Sequence, residues 1–298
     1  MSASSPTSAA PIEAAQIHSA RFAGRTDFWG LLLLTPALVL LIGLFAIPAV
    51  FSVLGALTGN AGGPSLEHFR TAITLYGRDI VFTTWLVCLS VAVIALLAIL
   101  IAGYLTLGGN RLAVRALAWL YRWPLFVPMI CAAQMMRSFL AKNGMLNNAL
   151  VASGALSPEA TTSLLDWRGI LITFVWKQFP FVTLLLAGAM AALDRGMIEA
   201  ARDLGAGRLR VLFGIVLPLV RAPLLVGCVL TFVTLMSVLS VPVMLTADSP
   251  TMITVDMAYR INTFGDYGTA DALGVISYLM TMLAAWVYLR HAARERGP

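Results

Sequence analysis

From Asp194 to Leu225 the chain reads DRGMIEAARDLGAGRLRVLFGIVLPLVRAPLL, an arginine-bearing stretch set between two apolar runs. Asp194 is placed to cap a helix by accepting from the orphan backbone N–H groups of its first turn. Met197, Ala200, Ala201 and Leu204 then recur at helical spacing, which predicts an apolar stripe. Gly205 follows where the chain must turn, because glycine enters the left-handed region without a steric cost. A second short helix is expected over Arg208 to Gly214, with Leu209, Leu212 and Phe213 on one side. Pro218 then stands at the start of the next apolar run, a place that tolerates a missing N–H. Ala200 and Ala201 leave one face low enough for another chain to approach closely. Two readings of this helix–turn–helix are open on pattern alone. It is a shaped knob for a protein partner, or, through Arg202, Arg208 and Arg210, an amphipathic element lying in lipid headgroups.

Outward from this stretch the composition leaves water behind. Apolar residues make up 59% of the 298 and charged residues only 11%, against roughly a quarter charged in soluble domains. Mean hydropathy is +0.87. A transmembrane helix needs about 20 mostly apolar residues, and six stretches supply them. They run from near Phe28 to about Val53, Ile80 to Leu107, Leu117 to Leu140, Gly169 to Leu193, Leu219 to Leu245, and Leu273 to Leu289. The fourth is expected to be broken around Lys177 and Pro180. The first exceeds the h-region of a secretory signal and follows a long polar tail, so it reads as an uncleaved anchor. The domain division is a disordered Ser/Ala/Pro-rich tail over 1–27, then a membrane domain over 28–293 with a cytoplasmic loop over 194–218.

The net charge of +6 does not indicate nucleic acid, since the arginines sit between apolar runs rather than on one face. They follow topology instead. Arg21, Arg25, Arg111, Arg115, Arg122, Arg195, Arg202, Arg208, Arg210, Arg221, Arg290, Arg294 and Arg296 fall on one side if six spans alternate. The other side mixes Arg70, Arg78, Arg137, Lys142, Arg168 and Arg260 with Glu67, Asp79, Asp248 and Asp266. The positive-inside rule then makes both termini cytoplasmic. Cys88, Cys131 and Cys228 each lie in an apolar run without a partner at metal or redox spacing, and His18, His68 and His291 are scattered; no metal site is expected.

Glu199, Ala200, Ala201, Gly205, Ile215, Leu217 and Pro218 fill the fixed positions of a pattern that resembles the EAA motif of ABC importer permeases, in the loop before the penultimate span. The resemblance covers the chain from about Phe28. It implies an all-α membrane protein of six transmembrane helices with the type I ABC importer permease (MetI-like) fold. It also implies an inner (plasma) membrane location, a second permease subunit, related or identical, a cytoplasmic ABC ATPase dimer, and a periplasmic or lipid-anchored solute-binding protein. By the same resemblance Glu199, Ala200, Ala201 and Gly205 form the element that docks on the ATPase, and Ile215, Leu217 and Pro218 connect it to the fifth span. The chain has no GxxxxGK[ST] phosphate loop, so it is read as a transport subunit and not an enzyme, with ATP and Mg on the partner.

For the translocation path the candidates are Lys177, Gln178, Gln134, Ser237 and Ser240. An intramembrane charge such as Lys177 points to a cavity or a pairing; the alternative is snorkelling toward the outer interface. Serines in membrane helices also serve plain close packing. The wording EAARDLGA resembles the permeases for polyamines and for iron, thiamine, phosphonate or sulfate more than those for sugars. The segment FLAKNGMLNNAL, Phe139 to Leu150, resembles the spermidine/putrescine permease group, which implies a polyamine or another small charged solute. An anion would suit Lys177 better than a polyamine. A stand-alone secondary transporter is the alternative function. It would call for intramembrane carboxylates, and no Asp or Glu lies well within the six runs.

Overall fold

The computed structural model describes residues 32, 34–59, 62–246 and 250–295. The tail expected over 1–27, with Arg21, Arg25 and His18, lies outside the described residues, as do Asp248 and Arg296. The chain divides into two units, Met1–Gly55 and Ala56–Pro298. Helix α1 (Leu34–Leu57) begins in the first unit and is long and apolar enough to cross a bilayer. Its residues Ile42–Ala46 form a π turn just before Pro48. The proline ring would collide with the carbonyl four residues upstream in a regular helix, and the wider turn relieves that clash.

The second unit is organised around α2 (Glu67–Leu107), a single helix of 41 residues. At about 1.5 Å per residue it spans roughly 60 Å, about twice a hydrocarbon core. The apolar reading from Ile80 therefore marks only its membrane part, and Glu67 to Asp79 continue the helix beyond it. After α2 the chain makes α3 (Arg111–Leu120), capped by the Asn110 side chain on the Leu112 and Ala113 N–H groups. A 3-10 turn (Trp123–Phe126) follows, then α4 (Met129–Leu140) and α5 (Met145–Ala152). The expected third span is thus not one rod. Its two parts, Arg111–Phe126 and Met129–Ala152, meet at 105°, where Pro124 and Pro128 remove backbone donors.

Helix α6 (Trp167–Ala191) runs through Pro180 without a break, contrary to the expected interruption. The Thr183 hydroxyl donates to the Phe179 carbonyl at 2.7 Å in that turn, and membrane helices tolerate proline where such groups re-satisfy the backbone. Beyond α6 come α7 (Arg195–Asp203), α8 (Arg208–Leu219) and α9 (Arg221–Met236), the last two bent by 75°. The separate helix α10 (Ser240–Leu245) follows, so the fifth apolar run is three helical pieces rather than one. A seven-residue helix α11 (Ile253–Tyr259) continues into a π turn over Arg260–Phe264, and α12 (Tyr267–Glu295) is the last described element. Among the described residues four helices are long and apolar enough to cross a bilayer, and counting each bent pair as one span brings the number up to six.

The main core lies where α2, α6 and α9 pack together. Leu86, Ile94, Phe174, Leu186, Met190 and Leu235 are fully buried there. Ala98, Ala102 and Gly103 keep one face of α2 low. Most other large apolar side chains face outward, as a lipid-solvated surface requires. At one end of the unit His68 Nε2 bonds the Thr58 carbonyl oxygen at 3.1 Å, and its ring lies against Gly268. Nearby Arg260 donates to the Tyr76 hydroxyl at 2.6 Å and reaches Asp266 at 3.4 Å. Asp79 accepts from the Thr251 N–H at 3.1 Å. The same end holds Asn147, whose amide group donates to the carbonyls of Ala141, Lys142 and Thr162.

Candidate functional site

The opposite end carries the α7–α8 loop. Asp194 caps α7 as expected, accepting from the Gly196 N–H at 2.9 Å. Gly205 has φ +82, and around it the Ala206 N–H donates to the Ala201 carbonyl at 3.0 Å and the Gly205 N–H to Arg202 at 2.9 Å. These bonds satisfy the last carbonyls of α7 and turn the chain back on itself. The second helix is longer than the Arg208 to Gly214 expected. It continues to Leu219 by way of a π turn, Leu212–Val216, again directly upstream of a proline, Pro218. That residue therefore lies inside α8, before the bend, and the span proper begins at Arg221.

The loop has an anchored side and a free side. Ile198, Val211, Leu212 and Val216 are buried in the main core, and Ala201 and Leu217 pack partly against it. Gly103 of α2 makes room for this anchor, since a Cβ there would meet the Leu212 side chain at 2.7 Å. Arg202 donates to the Leu107 carbonyl at 3.1 Å, which covers an orphan acceptor at the end of α2. Exposed are Met197, Glu199, Ala200, Leu204, Leu209 and Phe213, Glu199 beside Ile198 and Arg202 on a cavity against α2, α3 and α6. Leu204 is 90% exposed and Leu209 67%. The sequence-derived stripe is thus split: Met197, Ala200 and Leu204 lie outside, and Ile198 supplies the inward contact. Leu212 likewise parts from Leu209 and Phe213. Ile215 is half-buried and Pro218 exposed.

The geometry is that of a rigid, core-anchored projection with an apolar outer face. Met197, Leu204, Leu209 and Phe213 are four exposed large apolar side chains on one short loop.

The candidates for a path are dispersed. Lys177, on α6, directs its ammonium to the carbonyl oxygens of Pro124 at 2.9 Å and Leu125 at 3.3 Å. These are backbone acceptors at the break between α3 and α4, which sequence reasoning did not foresee as its partners. Gln178 is half-buried beside it on α6 and Gln134 is exposed on α4. The Ser237 hydroxyl donates to the Thr234 carbonyl at 2.8 Å at the end of α9, and Ser240 opens α10. Among the described residues no hydrogen bond joins these five side chains into one site.

A buried acid on α11 escaped the sequence reading. Asp256 is 6% exposed and its Oδ2 has no hydrogen-bond partner among the described residues. Burial first, and then the charge of Asp79, push its carboxyl up to about 7 against the opposing pull of Arg260. Asp266 is the contrast. Burial works against its ionised form, but hydrogen bonds from Thr269 and the charges of Arg260 and His68 outweigh it and hold the carboxyl below its usual range.

Comparison with known proteins fits this architecture. Residues 31–297 match the family described as binding-protein-dependent transport system inner membrane component. The chain is 25% identical over 279 residues to the sulfoquinovosyl glycerol transport system permease protein SmoG of Agrobacterium fabrum, covering 87% of this chain and 88% of that one. It is 31% identical over 158 residues to the spermidine/putrescine transport system permease protein PotB of Haemophilus influenzae, covering 52% and 54%. A chain of the bacterial alginate ABC transporter, solved with alginate pentasaccharide-bound periplasmic protein, superposes with TM-score 0.78 at 19% identity over 91% of this chain and 96% of that one. With four to six candidate membrane helices and that likeness, the fold is the all-α type I importer permease fold, integral to the membrane. The chain belongs to the binding-protein-dependent transport system inner membrane components, the permease subunits of ABC importers, which are not themselves enzymes.

Proposed function

We propose that the α7–α8 loop is the element through which a separate ATP-hydrolysing subunit drives this permease. The observation that carries the reading is the pairing of a free apolar face, with Leu204 at its tip, and a buried anchor of Ile198, Val211, Leu212 and Val216. Glu199, Ala200, Ala201 and Gly205 form the docking surface, and Ile215, Leu217 and Pro218 pass its motion to α9. ATP and Mg reside on the partner, a cytoplasmic dimer. A second permease subunit completes the path, and an extracytoplasmic binding protein delivers the solute. The arginine-rich end, with the loop and both termini, is cytoplasmic. When the ATPases close on nucleotide, the docked loops move together and the membrane halves exchange one packing for another, a rigid-body transition biased from a distance.

For the solute, EAARDLGA and the likeness to PotB favour a polyamine. A second reading, an anionic solute, is favoured by the likeness to SmoG, a permease for sulfoquinovosyl glycerol, which extends over far more of the chain. ATP hydrolysis by the reconstituted importer, with its binding protein loaded in turn with spermidine, putrescine and a sulfonated glycoside, decides between them. Stimulation by one class identifies it. No stimulation by any solute in the presence of a competent ATPase would overturn the coupling role.

A further inference from the structure

Beyond solute transport, we propose that the arginine-rich end of this protein holds one anionic phospholipid of the inner leaflet, with Arg122 at its phosphate. The proposal rests on the orientation given above for the coupling loop. Two cavities meet at Arg122 and share no other residue. One, of about 590 Å³, lies between the ends of α2 and α6, helix α3 and the coupling loop, and is lined by Thr106, Tyr121, Arg122, Arg195, Glu199 and Arg202 among others. Three guanidinium groups there face one carboxylate. Arg202 uses one donor on the Leu107 carbonyl and Arg122 one on the Tyr121 hydroxyl at 3.3 Å. The cavity that these three arginines line is large enough for a phosphate headgroup, which arginine forks recognise by paired hydrogen bonds.

The second cavity, about 440 Å³, is lined by Trp119, Arg122, Trp123 and Phe126. Its aromatic walls are turned outward, with Phe126 84% exposed. Trp119 and Trp123 stand edge to face with ring centroids 4.8 Å apart. Trp119 and Trp123 beside Arg122 set apolar walls next to a phosphate-binding group, so that a headgroup held at Arg122 leaves its acyl chain against the rings. A polar, cationic chamber opening past a single arginine onto an aromatic groove matches an amphiphile: phosphate inward, acyl chain outward. A free anion would have no use for the groove, and a neutral lipid none for the three arginines. The 105° bend after Phe126 lays α3 aside and so opens both spaces together.

The test uses the complete importer in vesicles of equal phosphatidylcholine and phosphatidylglycerol, extracted in detergent and weighed by native mass spectrometry. Selective retention of phosphatidylglycerol is expected, unaffected by millimolar inorganic phosphate. Arg122→Gln should reduce retention roughly tenfold, the size of one charge-assisted hydrogen bond. Trp123→Ala should weaken it with the assembly still monodisperse on gel filtration. Equal retention of the two lipids, displacement by phosphate alone, or full retention in Arg122→Gln would each overturn the proposal. Detergent exposes both ends of the protein, so this result is independent of the loop's orientation. Failure of solute-stimulated hydrolysis would instead count against the coupling role.

Discussion

The ammonium of Lys177 donates to the Pro124 carbonyl oxygen at 2.9 Å, joining the middle of α6 to the broken junction between α3 and α4. A broken helix at membrane depth frees carbonyls that lipid cannot satisfy. A cation on the neighbouring helix meets that need at the cost of its own hydration. Lys177→Met leaves the Pro124 and Leu125 acceptors without this donor, and a loss of about 2 kcal/mol of stability is expected. Lys177→Arg should retain most of it. Thermal unfolding of the detergent-solubilised variants checks this; equal melting of wild type and Lys177→Met would show that the bond contributes nothing.

Asp256 predicts a pH dependence of stability. Its carboxyl is raised from 3.8 to about 7 in the folded protein, so between those values the folded state binds more protons than the unfolded one. Stability from this group therefore falls as pH rises from about 4 to about 7 and is level above. Asp256→Asn, which mimics the protonated acid, should match wild type near pH 4 and exceed it by a few kcal/mol at pH 8. Melting curves of the two proteins that stay parallel across this window would contradict the assignment.

Gly103 and Leu212 form a coupled pair across α2 and α8, since any Cβ at 103 meets the leucine side chain. Gly103→Val should displace the loop and sharply reduce solute-stimulated ATP hydrolysis. Adding Leu212→Ala should recover part of it, as contacting residues are non-additive. Absence of any recovery in the double variant would separate the two residues.

At Gly205 the positive φ makes a β-branched residue a strained one. Gly205→Val is expected to cost about 1–2 kcal/mol locally and to leave expression unchanged while uncoupling hydrolysis from solute. Stimulation equal to wild type in this variant would place the turn outside the coupling element.

The sequence was legible where one physical preference acts alone. Apolar length located the spans, the Asp194 side chain capped α7, and the left-handed turn fell at Gly205. It was misleading where tertiary contacts decide. Proline read as a breaker at 180, yet Thr183 and close packing carry α6 through it, while Pro124 and Pro128, in an equally apolar run, mark a real bend. The difference lies in partners: Lys177 arrives from 53 residues away to satisfy the second site, and no local pattern encodes it. The apolar stripe of α7 was read through Met197, Ala200, Ala201 and Leu204, but Ile198, outside that stripe, supplies the contact with the main core. Helix α2 overran its apolar segment because Ala72 and Tyr76 pack against Ile253 and its neighbours in a smaller satellite core. Asp256 carried no local signal at all, its surroundings being assembled from α2 and α11. The EAA-like positions were readable as a pattern, whereas the path candidates Gln134, Gln178, Ser237 and Ser240 had only polarity to recommend them.

The transmission of force through the α7–α8 loop is tested most directly by chemical proximity. In a background with Cys88, Cys131 and Cys228 replaced by serine, Leu204→Cys at the exposed tip should cross-link to the partner ATPase, and Glu199→Lys should suppress both the cross-link and solute-stimulated hydrolysis. Labelling of that cysteine from the outer face of sealed cells by a membrane-impermeant reagent, or solute uptake into vesicles that contain no ATPase, would contradict the account.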